Sequence, residues 1–126
     1  MSAAIRNLDT FTRSYIETAL WAENDNSDDT GGEPLDRNYG LADISGVALA
    51  QMAQDCKIFQ ENNADDLATL DLAQSGHDFW LTRRRHGAGF WDRGLGALGD
   101  RLTEAAHSFG EASLYIGDDG LIYLYG

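Results

Sequence analysis

Cationic residues are scarce in this chain. Nine Lys and Arg stand against 21 Asp and Glu in 126 residues, a formal net charge of −12. A protein that grips nucleic acid through bulk charge needs Lys and Arg for the phosphates, so that class is disfavoured. Cysteine is scarcer still: Cys56 is the sole thiol, which excludes an intramolecular disulfide and a Cys-rich zinc site. With no basic-then-apolar leader after Met1, this composition predicts a cytoplasmic protein in a reducing compartment. No apolar run approaches the ~20 residues that cross a bilayer, so no membrane segment is expected. Metal motifs are also missing. His77, His86, His107 and Cys56 fall into no C-x-x-C, H-E-x-x-H or H-x-x-x-H spacing, and neither metal nor cofactor is expected. Asp25 to Asp29 has the composition of a hard-cation loop but lacks the glycine and terminal glutamate of an EF-hand. There is no G-x-x-x-x-G-K-[ST], no strand-borne G-x-G-x-x-G and no nucleophile elbow, which removes known phosphate cradles and triad hydrolases from consideration.

What is present suits one globular domain spanning 1–126. Residues are 43% hydrophobic and 10% aromatic, and a chain of this length buries roughly two thirds of its unfolded surface. The acidity is uneven: residues 1–76 hold 14 acidic and four basic residues, residues 77–126 seven and five. Its densest part is Glu23, Asp25, Asp28, Asp29, Glu33 and Asp36, which with Gly31, Gly32 and Pro34 reads as an acidic loop between helices. Phe11, Tyr15, Ile16, Ala19 and Leu20 predict a helix over about 10–24 with Asp9 as N-cap. Ala48, Met52, Cys56 and Phe59 predict a second, capped by Asp43 or Ser45 and ended by Asn62 and Asn63. Leu67, Leu70 and Ala73 suggest a third over about 65–75, with Gly76 in the left-handed position beyond its end.

The period then changes. Phe79-Trp80-Leu81-Thr82 and Ala88-Gly89-Phe90-Trp91 read as a hairpin with Arg83-Arg84-Arg85 at its tip. Leu95, Leu98, Leu102, Ala105, Ala106 and Phe109 predict a helix closed by Gly110. Ser113 to Ile116 and Leu121 to Tyr125 form a second hairpin about Gly117-Asp118-Asp119-Gly120. The expected fold is α+β in the order αααββαββ, a small antiparallel sheet against helices, divided into an acidic helical half (1–76) and a ββαββ half (77–126).

Candidate chemistry gathers between His77 and Arg93. In a hairpin, Asp78 and Asp92 would meet at the open end beside His77 and Arg93, where an imidazole fixed by a carboxylate serves as general acid or base. His77, Asp78, Arg83, His86, Asp92 and Arg93 are therefore the candidate catalytic or ligand-binding residues. The same residues also have a structural reading, in which Asp78 caps or anchors the hairpin, Asp92 pairs with Arg93 or Arg83 and His77 is solvated. A third reading stacks single-stranded nucleic acid on Trp80 and Trp91 beside the three arginines, against the repulsion of the remaining chain.

The run from Asp78-Phe79-Trp80-Leu81-Thr82-Arg83 through His86-Gly87-Ala88-Gly89-Phe90-Trp91-Asp92-Arg93, followed by Gly94-Leu95-Gly96 and Leu114-Tyr115-Ile116-Gly117-Asp118-Asp119-Gly120, resembles the C-terminal part of a family of small uncharacterised bacteriophage and prophage proteins. The resemblance covers about residues 76–124. It implies a phage origin and action in the host cell, but no particular chemistry. Arg84-Arg85 departs from it, standing where the family form has a turn-forming pair such as Asn-Gly. The leading expectation is a non-enzymatic acidic binding protein, an inhibitor or nucleic-acid mimic acting on a basic host defence or replication protein. Its carboxylates at Glu23, Asp25, Asp28, Asp29, Glu33 and Asp36 would occupy a groove made for phosphates.

Overall fold

A computed structural model describes residues 8–25, 33–85 and 89–125. Helix α1 (Thr10–Ala22) begins where the Asp9 carboxylate accepts from the Thr12 amide at 2.8 Å, satisfying one of the orphan donors of a helix start. Its predicted stripe of Phe11, Tyr15, Ile16, Ala19 and Leu20 is buried. The chain then extends into β1 (Asn24–Asp25), which pairs antiparallel with β2 (Glu33–Pro34), and passes through single 3-10 turns at Leu35–Arg37 and Leu41–Asp43. Helix α2 (Gly46–Asn62) is capped by Ser45, whose hydroxyl accepts from the Ala48 amide. The other candidate cap, Asp43, accepts from the Gly40 amide and closes the preceding turn. At the far end both the amide and the side chain of Asn63 donate to the Phe59 carbonyl, stopping the helix.

The next segment corrects the expected order. The third helix divides into a single turn, α3 (Ala64–Leu67), and the start of a longer helix, α4 (Leu72–Arg84), which runs through residues expected to form the first strand of a hairpin. Asp71 caps α4 by accepting from the Gln74 amide. Ser75, Gly76, Phe79, Thr82 and Arg83 make its buried stripe, a spacing of three and four residues that belongs to a helix. Gly76 therefore lies within the helix and not at a left-handed end. A Cβ there would strike the Phe11 carbonyl oxygen, so the missing side chain lets α4 cross close over α1. The halves expected to divide at residue 76 meet inside this helix.

After Arg84 the backbone turns at Arg85, the one described non-glycine residue with positive φ, at 60°. Arg85 thus ends α4 in the left-handed conformation, and its amide donates to the carbonyls of Leu81 and Thr82, the backbone arrangement that usually closes a helix on glycine or asparagine. In place of the second strand, Phe90–Asp92 forms a 3-10 turn, closed by the Asp92 carboxylate accepting from the Gly89 amide. The turn is fixed to α4 by the Phe90 amide, which donates to the Thr82 hydroxyl. Helix α5 (Ala97–His107) follows, and Gly110 turns the chain with φ 84°.

The terminal hairpin is as expected. Strands β3 (Ser113–Ile116) and β4 (Ile122–Tyr125) pair from Ser113↔Tyr125 to Ile116↔Ile122 around Gly117–Gly120. The free edge of β4 meets the entry to α2, where the Ser45 amide donates to the Ile122 carbonyl at 2.8 Å. The protein is thus mostly helical with a small antiparallel sheet, consistent with the α+β class but with one hairpin replaced by helix and turn. Its core is aromatic: Phe79 stacks on Phe59 at 4.1 Å and on Tyr15 at 5.0 Å. Full burial of one such ring contributes about 1.5–3 kcal/mol.

Candidate functional site

Because α4 is a helix, neighbours in the His77–Arg93 cluster leave it about 100° apart and reach different parts of the molecule. The structure separates them into three environments.

His77 faces α1. The Thr18 hydroxyl donates to the Ser14 carbonyl at 2.7 Å and lies 2.9 Å from His77 Nδ1. With its proton committed to Ser14, that oxygen must accept, so the hydrogen-bond network assigns the ring proton to Nδ1 and leaves Nε2 as a base. The ring packs beside Trp21 in a shallow cleft of about 380 Å³ that also includes Glu17 and Asp36. Burial pushes its pKa below the ordinary imidazole value; Arg93 adds to that shift and Asp78 opposes it.

Asp78 faces the opposite way, buried, and receives Arg93 through both Nε and Nη2, the shortest distance being 2.7 Å. Gln74 donates to the same carboxylate at 3.0 Å. These bonds hold the Arg93 guanidinium above its ordinary pKa. Asp78 thus clamps α4 to the turn after Phe90–Asp92, and its oxygens are occupied by structural partners. Asp92 is committed to its own turn, so the expected pairing of His77 with an aspartate at a hairpin mouth does not form.

Arg83 points into the core, with only 3% of its side chain exposed. Nη1 donates to Asp55 Oδ2 and to the Tyr15 hydroxyl, both at 2.9 Å, while Nε and Nη2 donate to the carbonyls of Gly110 and Phe109 beyond the end of α5. The guanidinium also lies 5.8 Å from the Phe109 ring centre. One buried cation thereby joins α1, α2, α4 and the exit from α5. The pair forms the floor of a pocket of about 250 Å³, walled by Val47, Ala48 and Gln51 of α2, by Phe109, and by Tyr123 and Leu124 of β4.

The other arginines of the run are not at a hairpin tip. Arg84 pairs at 2.7 Å with Glu23, whose second oxygen accepts from the Leu114 amide. Glu23, expected on the partner-binding loop, is therefore buried and joins α1 to α4 and β3. Asp36 is exposed. Asp25 and Glu33 lie opposite each other in the β1–β2 pair, whereas Asp28, Asp29 and His86 lie outside the described residues. Trp80, expected to stack bases together with Trp91, is wholly buried whereas Trp91 is exposed, so the two do not form a stacking platform. Gly94 and Gly96 lead into α5 from a 3-10 turn and not from a strand, and Gly99 lies buried within the helix. Asp100 lies in that helix's first turn, where the helix dipole favours its carboxylate and its charge repels an incoming anion. Cys56 is buried, and desolvation pushes its thiol pKa well above the ordinary value, the setting of an inert thiol. Among the described residues no three His, Cys, Asp or Glu side chains converge as a metal site.

Sequence reasoning missed Asp55, Gln51 and Tyr15. A signal for Asp55 was present: it sits three residues after Met52 and four before Phe59, on the apolar stripe of α2, where an unpaired carboxylate would be costly. No known protein family, curated protein or solved structure matches the chain.

Proposed function

We propose that this chain is a non-enzymatic, acidic binding protein of phage type that engages a basic host or phage protein, acting as an inhibitor or nucleic-acid mimic on a defence or replication factor. The observation that carries this reading is where the cations go. Arg83, Arg84, Arg93 and Arg101 are each held by a carboxylate of the same chain, at Asp55, Glu23, Asp78 and Asp66. Of the run Arg83-Arg84-Arg85, the first two are thereby committed to the fold, while Arg85 is exposed. Exposed carboxylates such as Glu17, Asp36, Glu61, Asp65, Asp118 and Asp119 remain to set the surface field. That field favours encounter with a basic surface at low ionic strength. The dispersal of His77, Asp78 and Arg83 to separate environments weighs against a concerted catalytic cluster.

The test is capture from host lysate at low and at high salt, followed by binding of the isolated partner. A basic nucleic-acid-handling protein held at low salt, released at high salt and displaced by duplex DNA is the expected result. Asp28→Asn, Asp29→Asn and Asp36→Asn together should weaken its binding. Capture of an acidic or salt-insensitive partner, or of none, overturns the reading.

A further inference from the structure

The pocket over Arg83 and Asp55 opens beside the outer edge of β4, which among the described residues pairs with no further strand. The Ile122 carbonyl already accepts from Ser45 on that edge. Alternation along β4 then turns the N–H and C=O of Leu124 the same way, past the point where the facing segment becomes helix α2. On the opposite wall Val47, Gln51 and Asp55 recur at intervals of four along α2 and line the groove. Val47, an apolar side chain, is 79% exposed at its lip.

Resting on the reading of this chain as a binder of basic proteins, we propose that the groove between α2 and β4 receives an extended segment of the partner. The segment pairs with the Leu124 edge and inserts a lysine or arginine side chain toward Asp55. Backbone pairing at an open edge with alternate side chains in a pocket is an established mode of peptide capture. The lining selects the side chain: Val47, Leu124 and Phe109 suit an aliphatic stem, and Asp55 and Gln51 suit a cationic end, the amphipathic make-up of lysine and arginine. Asp55 is bonded to Arg83 and Gln51, and a carboxylate with about four acceptor sites has capacity left for a further donor. Arg83 does not leave the floor positive, because it faces that carboxylate together with the carbonyls of Phe109 and Gly110. A second copy of this chain is a poor occupant, since both copies carry a net charge of −12.

The probe is a blocked pentapeptide alternating valine and lysine, titrated into the full chain and followed by amide NMR shifts. Saturable shifts at Leu124, Val47 and the Gln51 side-chain amide are expected. Val47→Lys, a change at an exposed position, should weaken binding at least about tenfold, as a like charge facing the incoming lysine would. Methylating the peptide's central backbone nitrogens should do the same, and glutamate in place of lysine should abolish binding. Lysine-peptide binding that ignores both Val47→Lys and N-methylation, or shifts confined to Asp36 and its neighbours, overturns the groove while leaving the acidic-surface reading standing. Failure of the peptide to bind at any salt overturns the groove as well. If salt-sensitive capture of a basic protein fails while the peptide still binds here, the acidic-mimic reading falls and the groove remains.

Discussion

Helix α4 uses the same chemistry for different purposes at its middle and at its C-terminal end. At mid-helix Asp78 takes a bidentate arginine whose side chain is 34% exposed; near the end Arg83 is 3% exposed and holds Asp55, Tyr15 and two carbonyls. In the first pair the cation retains access to water, so the bond is a clamp that can open. In the second both charges are withdrawn from solvent, and each depends on the other and on the surrounding hydrogen bonds. An arginine–carboxylate pair is therefore not one structural unit with one strength. Its burial decides what removing a partner does.

The sharpest way to break the comparison is Arg83→Ala. It leaves Asp55 as an uncompensated buried carboxylate and releases the carbonyls of Phe109 and Gly110, so a loss of about 3–5 kcal/mol is expected in urea unfolding. Arg83→Met with Asp55→Leu removes both charges and should recover most of that loss. A single change that costs less than about 1 kcal/mol would show that the buried pair behaves like a surface one.

At mid-helix, Asp78→Asn retains the shape and one acceptor oxygen while freeing a partly solvated Arg93. Loss of a charged hydrogen bond predicts about 1.5–3 kcal/mol, less than at Arg83. The loss should be accompanied by faster amide exchange at Gly89 and Phe90, because Asp78 holds their turn. Equal losses at Asp78 and Arg83 would remove the distinction between clamp and core pair.

Helix α4 was only partly legible in the sequence. Helices α1 and α2 were readable because Asp9 and Ser45 provide caps just before regular apolar stripes. The terminal hairpin was readable because Gly117 to Gly120 carries the turn. In α4 the stripe begins with Ser75 and Gly76, which carry little apolar signal, and passes through Phe79 to Thr82, whose aromatic and β-branched character imitates a strand. Tertiary packing overrode that propensity: Gly76 admits the α1 crossing and Phe79 stacks on Phe59. The candidate cluster was singled out by its composition, and its expected arrangement depended on a strand period where the chain is helical. Strand alternation would place Asp78 with Trp80 and Thr82 on one face, whereas a helix sends His77, Asp78 and Arg83 to three. Asp55 lies 28 residues from Arg83, so no local motif joins the pair.

His77 gives the smallest and most diagnostic effect. Its folded pKa lies below the unfolded value near 6.5, chiefly through burial. Between the folded and unfolded values the unfolded chain binds more protons, so stability rises with pH across that window. The contribution is complete above about pH 6.5 and is lost as pH falls through the folded pKa. His77→Gln keeps a side-chain donor for Thr18 but cannot titrate there. Thermal unfolding between about pH 5 and 8 should therefore show a shallower slope in His77→Gln than in the parent, with little change at pH 8. An unchanged slope would mean that His77 titrates as if solvated, and that the side of α4 facing α1 is as open to water as the Arg93 clamp.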